Sequence, residues 1–367
     1  MHDPTERVSI RDIAKAAETS VSTVSRALND HPDVSPETRE RIMRIAEAYG
    51  YERNMFAHGL ISGRSGLISV IMPNIDYDYQ LQFLRGMAHA AERFDQELLL
   101  TVKETASDTI DACRSLYRRG ISDGAIVFQP PVEGAAALRE LQAAGFPMVA
   151  FHPPFPMPGL TSVEPMDHEG AMMAVRHLLA LGHQRIGIIV EDTQRTAGQE
   201  RLRGYEDALR EAGVSLDPAL VIVVPPNQPH ASGRAGIQQW LAAGTDFSAV
   251  FCFNDLVAYG AIQELAAHDR RVPEDVSVVG FDDIPASLHY GRAGLTTVKQ
   301  PITQIGELAL ETLLHLCDGG TTPGQRIQVP VELVVRGTSS AARQPRIWDD
   351  SVVRPEPPTA SEPLEPL

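Results

Sequence analysis

The stretch Val8-Ser-Ile-Arg-Asp-Ile-Ala-Lys-Ala-Ala17, followed by Thr19-Ser-Val-Ser-Thr-Val-Ser-Arg-Ala-Leu-Asn29, decides how this chain begins to fold. Ser9-Ile-Arg-Asp12 has the serine-x-x-acid spacing of a helix N-terminus, so a helix is expected from about Ile10 to Ala17. Ile13, Ala14, Ala16 and Ala17 give it a thin inner face of small residues. Ser20 is suited to cap a second helix running through Leu28, in which Val24 and Leu28 stand four apart and face the first helix together. Ser35-Pro-Glu-Thr38 starts a third, with serine as cap and proline in the first turn. Ile42, Ile45, Ala46 and Tyr49 form its apolar stripe, and Gly50 ends it. Three helices at this spacing make a compact helix-turn-helix headpiece.

The second helix carries Ser20, Val21, Ser22, Thr23, Ser25, Arg26 and Asn29 off its inner stripe. Small hydroxyls near a helix N-terminus suit phosphates and base edges in the major groove, and Arg26 can make a bidentate contact to guanine. By pattern alone the same helix could be a merely solvated amphipathic one. Its place between two further helices favours the reader of double-stranded DNA. Residues 54–65 then read as a short hinge: Asn54 can cap a helix in which Ala57 and Leu60 share a face. Gly59 lies between them, and a mid-helix glycine costs roughly 0.8 to 1 kcal/mol relative to alanine. Such a short helix is marginal in water.

The net charge of −16 seems at odds with a phosphate-binding protein until it is divided along the chain. Residues 1–64 hold nine Lys and Arg against ten Asp and Glu, so fifteen of the net negative charges lie beyond them. DNA affinity must therefore come from local placement of Arg26, Arg39, Arg41, Arg44, Arg53 and Arg64. Cys113, Cys252 and Cys317 are far apart and odd in number, which argues against a metal site or a disulfide framework and for a reducing cytoplasm. No apolar run of membrane-spanning length is present, and residues 1–7 lack a secretory pattern.

From Gly66 onward, short apolar runs alternate with helical patterns. Strands are expected at Leu67–Ile71, Leu98–Val102, Gly124–Phe128, Met148–Phe151, Ile186–Val190, Leu220–Val224, Ala249–Phe253 and Val276–Phe281. Helices such as Gln80–Phe94, Gly170–Leu181, Arg201–Ala212 and Val257–Ala267 lie between them. This βα alternation implies α/β architecture with parallel, doubly wound sheets, and eight or more strands with a break near Pro153–Gly159 suggest two sheets. Residues 341–367 contain six prolines and are expected to be a disordered tail. No Gly-x-Ser-x-Gly elbow or phosphate loop is visible, and the adjacent Asp282 and Asp283 are poorly placed for joint acid–base work. An enzyme is not expected, and no cofactor is implied.

At the level of residues the chain resembles the lactose-repressor-like (LacI/GalR) family of bacterial transcription regulators. The resemblance rests on Ile10, Asp12, Ile13, Ala14, Ala17, Ser20, Thr23-Val-Ser-Arg-Ala-Leu-Asn29, Val34-Ser, Thr38-Arg, Tyr49-Gly-Tyr51, Asn54, Ala57 and Leu60. It continues through His177-Leu-Leu-Ala-Leu-Gly-His183, Arg201-Leu-Arg-Gly-Tyr205, Asn254-Asp255, Gly280-Phe-Asp-Asp283, Leu295-Thr-Thr-Val-Lys-Gln300 and Leu333-Val-Val-Arg336-Gly. Glu18 stands where the family most often has glycine, which would strain the turn by about 1 kcal/mol if its φ is positive.

The resemblance implies a headpiece over residues 1–53, a hinge helix over 54–65 and a two-lobed periplasmic-binding-protein-like body over 66–340. One lobe would take 66–162 plus 292–322, the other 163–291 plus 323–340. It implies operator DNA as one partner, with Leu60 as a minor-groove wedge, and assembly as a homodimer or tetramer. It also implies a small-molecule effector between the lobes, contacted by Arg201, Asn254 and Asp282. A guanidinium, an amide and a carboxylate together suit sugar hydroxyls, which both donate and accept. For Asp282 a helix cap or a structural ion pair is the alternative, and for Asn254 a cap on the following helix. Tyr77, Tyr79, Phe128 and Phe151 fall where they could stack on a sugar or serve as core. Two departures bear on the ligand: His152-Pro-Pro-Phe155 replaces a common Asp-Arg, and Met166-Asp167 a common Asp-Asn. Loss of that arginine favours a neutral mono- or disaccharide over an anionic effector, unless Arg195 or Arg234 compensates. Repression relieved by inducer is the default reading. A corepressor, a non-sugar effector and a solute-binding receptor of transport are its rivals.

Overall fold

A computed structural model describes residues 8–51, 64–191, 195–225, 228–289, 294–320 and 324–343. The headpiece consists of α1 (Ile10–Ala16), α2 (Val21–Leu28) and α3 (Pro36–Ala48). The Asp12 carboxylate accepts from the Ser9 backbone N–H at 2.9 Å and from its hydroxyl at 2.6 Å, which fixes the start of α1. Ser20 and Ser35 accept from the N–H groups of Thr23 and Thr38, as their spacing predicts. Ile13, Ala14, Ala17, Val24, Ala27, Leu28, Val34, Ile42 and Ala46 form the core, with Ile45 and Tyr51 packed on its margin. Tyr49, expected in the inner stripe, is 44% exposed, because α3 ends at Ala48 and the chain then turns through Gly50 at φ 62°. Glu18 does adopt φ 50°, so the turn between α1 and α2 carries the expected strain. The hinge residues Asn54, Ala57, Gly59 and Leu60 lie outside the described residues.

The body contains β1 (Leu67–Met72), α4 (Asp78–Arg93), β2 (Glu97–Val102), α5 (Ala106–Arg119), β3 (Gly124–Phe128), α6 (Ala135–Ala143), β4 (Met148–Phe151) and β5 (Thr161–Pro165). It continues with α7 (Asp167–Ala180), β6 (Ile186–Glu191), α8 (Thr196–Glu211), β7 (Val221–Val224), α9 (Pro229–Ala243), β8 (Ala249–Cys252), α10 (Asp255–Ala267) and β9 (Ser277–Asp282). β10 (Thr296–Lys299), α11 (Ile302–Cys317), β11 (Arg326–Val329) and β12 (Glu332–Val334) complete it. One sheet has the order β11-β5-β4-β3-β1-β2, the other β12-β10-β9-β8-β6-β7. Their central strands pair in parallel, and only β12 runs antiparallel, against β10, among the pairings described. β3, β4, β6 and β8 are buried along their whole length, which is why they read as unbroken apolar runs: helices cover both faces.

The chain divides into two compact units, residues 1–164 with 302–327 and residues 165–301 with 328–367. Residues 294–301, expected with the first lobe, belong to the second, because β10 is hydrogen-bonded between β9 and β12. Residues 324–327, expected with the second, belong to the first, where Arg326 bonds the buried Glu164 at 2.9 Å. Within the first unit α4 and α11 cross so closely that a Cβ on Gly86 would stand 1.8 Å from the Thr303 carbonyl oxygen. Only glycine permits that approach. In the second unit the His183 ring meets the hydroxyls of Ser248 and Ser277 at 2.9 and 3.0 Å and the Ser340 carbonyl at 3.0 Å. Ala342 N–H then donates to Leu181 at 2.8 Å and Arg343 pairs with Asp275 at 2.6 Å. The first residues of the expected disordered tail are therefore tied down; residues 344–367 lie outside the description.

Candidate functional site

The headpiece presents α2 as its polar face. Ser20 Oγ lies 2.8 Å from both Ser22 Oγ and Thr23 Oγ1, so three hydroxyls cluster at the helix start. Val21 is 42% exposed beside them, and an apolar group there is suited to a thymine methyl. Arg26 is exposed near the end of α2, while Ser25 is half-buried. Asn29, expected to face DNA, donates its amide to the Ser25 carbonyl at 2.9 Å at the end of α2. The supporting arginines divide. Arg26 and Arg41 are exposed with no ion pair among the described residues. Arg39 is committed to Asp30 at 2.9 Å and to the His31 carbonyl at 2.8 Å. Arg64, counted on for phosphate, pairs with Asp318 at 2.7 Å and donates to the Cys317 carbonyl at the end of α11. Arg53 lies outside the described residues.

In the second unit a charged cluster gathers at the carboxyl ends of the strands. Arg201 on α8 and Asp167 at the start of α7 are each 3% exposed and joined by Nε to Oδ1 at 2.8 Å. The Arg201 Nη1 donates to the Phe253 carbonyl, and its guanidinium lies over Phe281 at 3.7 Å and Phe253 at 4.4 Å. Asp282, at the end of β9, sits 3.9 Å from Arg201 and accepts from the Gln300 amide at 2.5 Å. Asp255 is wholly buried and accepts from the Thr297 hydroxyl at 2.5 Å and the Ile284 N–H at 3.0 Å. Gly280 leaves room for it: a Cβ there would stand 2.3 Å from Asp255 Oδ1. Burial pushes the Asp282 carboxyl well above the usual carboxylate range, with Arg201 opposing and Asp255 adding to the shift. Asp282 and Asp283 have φ of 113° and 54°. Two consecutive non-glycine residues in this region are strained, and such strain concentrates at functional sites. Asp283 is neutralised by Arg336 at 2.7 Å.

Of the three residues expected to contact an effector, Arg201 and Asp282 are brought together. Asn254 caps α10 through Val257 N–H at 2.8 Å, the plainer of its two readings. Asp167, noted in the sequence only as a departure from the family pattern, and Asp255 and Gln300, noted only as part of it, join the cluster without having been assigned a contact. An acidic residue opening a helix straight after a strand was the available signal for the first two.

The expected aromatic contacts belong to the first unit. Phe128 and Phe151 end β3 and β4 in register and lie 4.8 Å apart, packed with Phe83 in the core. Both are fully buried, so they present no face for stacking and serve as core. Tyr79, in the first turn of α4, is half-buried with its ring 6.1 Å from each. Tyr77 is half-buried at the position preceding α4. His152 follows with φ 48° and Gln129 with φ 46°, so this sheet also ends its strands in strained turns.

Burial pushes the Cys113 thiol up to about 12 and Cys317 to about 11, and it raises Cys252 as well, so no cysteine offers a thiolate. Among the described residues no helix is long and apolar enough to cross a membrane.

A helix-turn-helix headpiece in one chain with two α/β units, one bearing a polar cluster at its strand ends, defines a DNA-binding regulator with a periplasmic-binding-protein-like body. Residues 9–54 match the family described as bacterial regulatory proteins, lacI family, and residues 175–339 match a periplasmic binding protein-like domain. The chain belongs to the lacI family and is an HTH-type transcriptional regulator. It is 30% identical to the HTH-type transcriptional regulator DegA of Bacillus subtilis over 91% of this chain and 98% of that protein. The structure of a lac repressor dimer bound to operator and the anti-inducer ONPF matches with a TM-score of 0.81 and 26% identity, over 92% of this chain and 100% of that one. A complex of the transcriptional regulator CelR with cellobiose matches at 0.68 and 27%, over 91% and 100%.

Proposed function

We propose that this regulator binds its operator as a homodimer and releases it when a carbohydrate effector engages the cluster of Arg201, Asp167, Asp282 and Gln300. The observation that carries this reading is the strained aspartate pair beside a buried guanidinium, at the strand ends of a body joined to a DNA-reading helix. Asp282, whose carboxyl burial pushes well above the usual carboxylate range, can donate to a hydroxyl as well as accept from it when it carries its proton. The exposed hydroxyl cluster of Ser20, Ser22 and Thr23, with Val21 and Arg26, reads each half of the operator. Asn54, Ala57 and Leu60 supply the paired hinge that holds the centre of the site bent. Control requires only that the effector prefer one state: a preference of about 100-fold shifts the balance by roughly 2.7 kcal/mol.

The test uses the full-length protein, an operator selected from random duplexes, and an effector found by thermal-shift screening of neutral sugars, since a ligand that binds the native state raises its stability. Asp282→Ala is expected to keep operator affinity by fluorescence anisotropy while losing effector-driven release. Release of this variant at the wild-type effector concentration would overturn the assignment.

A further inference from the structure

Arg201 is the residue through which an anionic effector could be held, and its charge is already spent. A guanidinium removed from water persists only with matched charge and hydrogen bonds. Here Asp167 supplies the charge at 2.8 Å, the Phe253 carbonyl a further acceptor, and the Phe281 ring a covering face at 3.7 Å. The remaining ionisable groups of the cluster, Asp255 and Asp282, are carboxyls, so neither offers an anion a counter-charge. Two other arginines of the second unit are occupied: Arg336 by Asp283 at 2.7 Å and Arg234, one of the two that could have compensated, by Glu264 at 3.0 Å. Glu191, buried at the end of β6, adds a further carboxyl to this end of the sheet.

We infer that Asp167 is the specificity-determining residue for effector charge: by engaging Arg201 it reserves the site for uncharged polyhydroxyl compounds and excludes sugar acids and sugar phosphates. This rests on the reading of the cluster as the effector site and adds a chemical class to it. The position is selective in a simple way. With asparagine at 167 the side-chain oxygen could still accept from Arg201 Nε, but the guanidinium would keep its net charge and become a receptor for an anion. With aspartate, an incoming carboxylate meets a neutralised guanidinium and further carboxyls, and it must lose its hydration without gaining a counter-charge. Specificity of this kind is a penalty placed on the wrong ligand rather than a bonus for the right one.

The experiment titrates the full-length protein by calorimetry with matched probes: galactose, glucose and cellobiose against galacturonate, glucuronate and glucose 6-phosphate. The wild type is expected to bind at least one neutral probe and to discriminate against its anionic counterpart by roughly 100-fold or more, the scale of one uncompensated charge at contact distance. Asp167→Asn is expected to raise the ratio of anionic to neutral affinity by about tenfold or more. A wild type that binds an anionic probe better than its neutral counterpart overturns the inference and leaves the effector site standing. An unchanged ratio in a folded Asp167→Asn variant overturns it equally, and should that variant fail to fold, the wild-type ratio decides alone. Failure of every carbohydrate to bind would overturn the carbohydrate reading and this inference with it.

Discussion

The two sheets run in the same order, β2-β1-β3-β4-β5 and β7-β6-β8-β9-β10, each finished by a late strand, yet their carboxyl ends have opposite chemistry. In the first unit the ends of β3 and β4 carry Phe128 and Phe151, packed against Phe83 and Tyr79. In the second, the corresponding region after β8 and β9 carries Asp255 and Asp282, gathered with Arg201 and Asp167. Both ends are strained, at Gln129 and His152 in one and at Asp282 and Asp283 in the other. The shared topology fixes where side chains converge, while their polarity is set independently in each copy. One end is held by dispersion and exclusion of water, the other by matched charges that stay expensive to bury.

The sharpest way to break this contrast is to delete from each end and compare what is lost. Phe151→Ala should lower the unfolding free energy by about 3 to 5 kcal/mol, the range for a fully buried aromatic, as read by urea denaturation with an unchanged slope. The loss should not vary with pH between 5 and 8. Gly280→Ala should cost less, about 1 to 3 kcal/mol as overpacking, because the new methyl meets the Asp255 carboxylate. A neutral result in the same denaturation assay would mean that Asp255 can shift without breaking its bonds to Thr297 and Ile284. Asp282→Asn should have the smallest effect on the midpoint and the most informative pH dependence. Asp282 is raised above its ordinary 3.8 in the fold, so the native state holds a proton that the unfolded chain releases. Its contribution is fully present below 3.8 and is lost as pH rises through the raised value. The variant should therefore gain stability relative to wild type as pH rises from 4, and a flat difference would show that Asp282 ionises normally.

The same contrast explains what was legible in the sequence. β3 and β4 could be bounded to the residue because both faces of a central parallel strand are apolar, and α2 because Ser20 announces its cap. β5, β10 and β11 were not legible as strands, since Thr161, Glu164, Thr296, Thr297 and Arg326 look like surface. They are tolerated inside, or at the edge, only through partners distant in the chain: Glu164 finds Arg326, and Thr297 finds Asp255. Arg201 and Asp282 were legible as site residues from the family pattern. Their partner Asp167 was visible only as a departure from that pattern, because its meaning depends on an ion pair across 34 residues. The aromatics failed for the converse reason: a phenylalanine at a strand end reads as available for a ligand until the register sets Phe128 beside Phe151.

Arg64 gives α11 a role that its packing alone does not. The helix starts at Ile302, two residues after Gln300, and ends at Cys317, whose carbonyl takes a hydrogen bond from the Arg64 guanidinium. At 1.5 Å per residue its 16 residues span about 24 Å. One end of this rod follows the side chain that bonds Asp282, and the other grips the root of the segment leading to the headpiece. Within the first unit α11 runs close against α4 at Gly306, and the Cys317 thiol donates to the Asp123 carbonyl at 3.4 Å. Residue 64 is therefore positioned by a helix end 253 residues later in the chain, so a change in α11 is felt there without any change in the sequence around it.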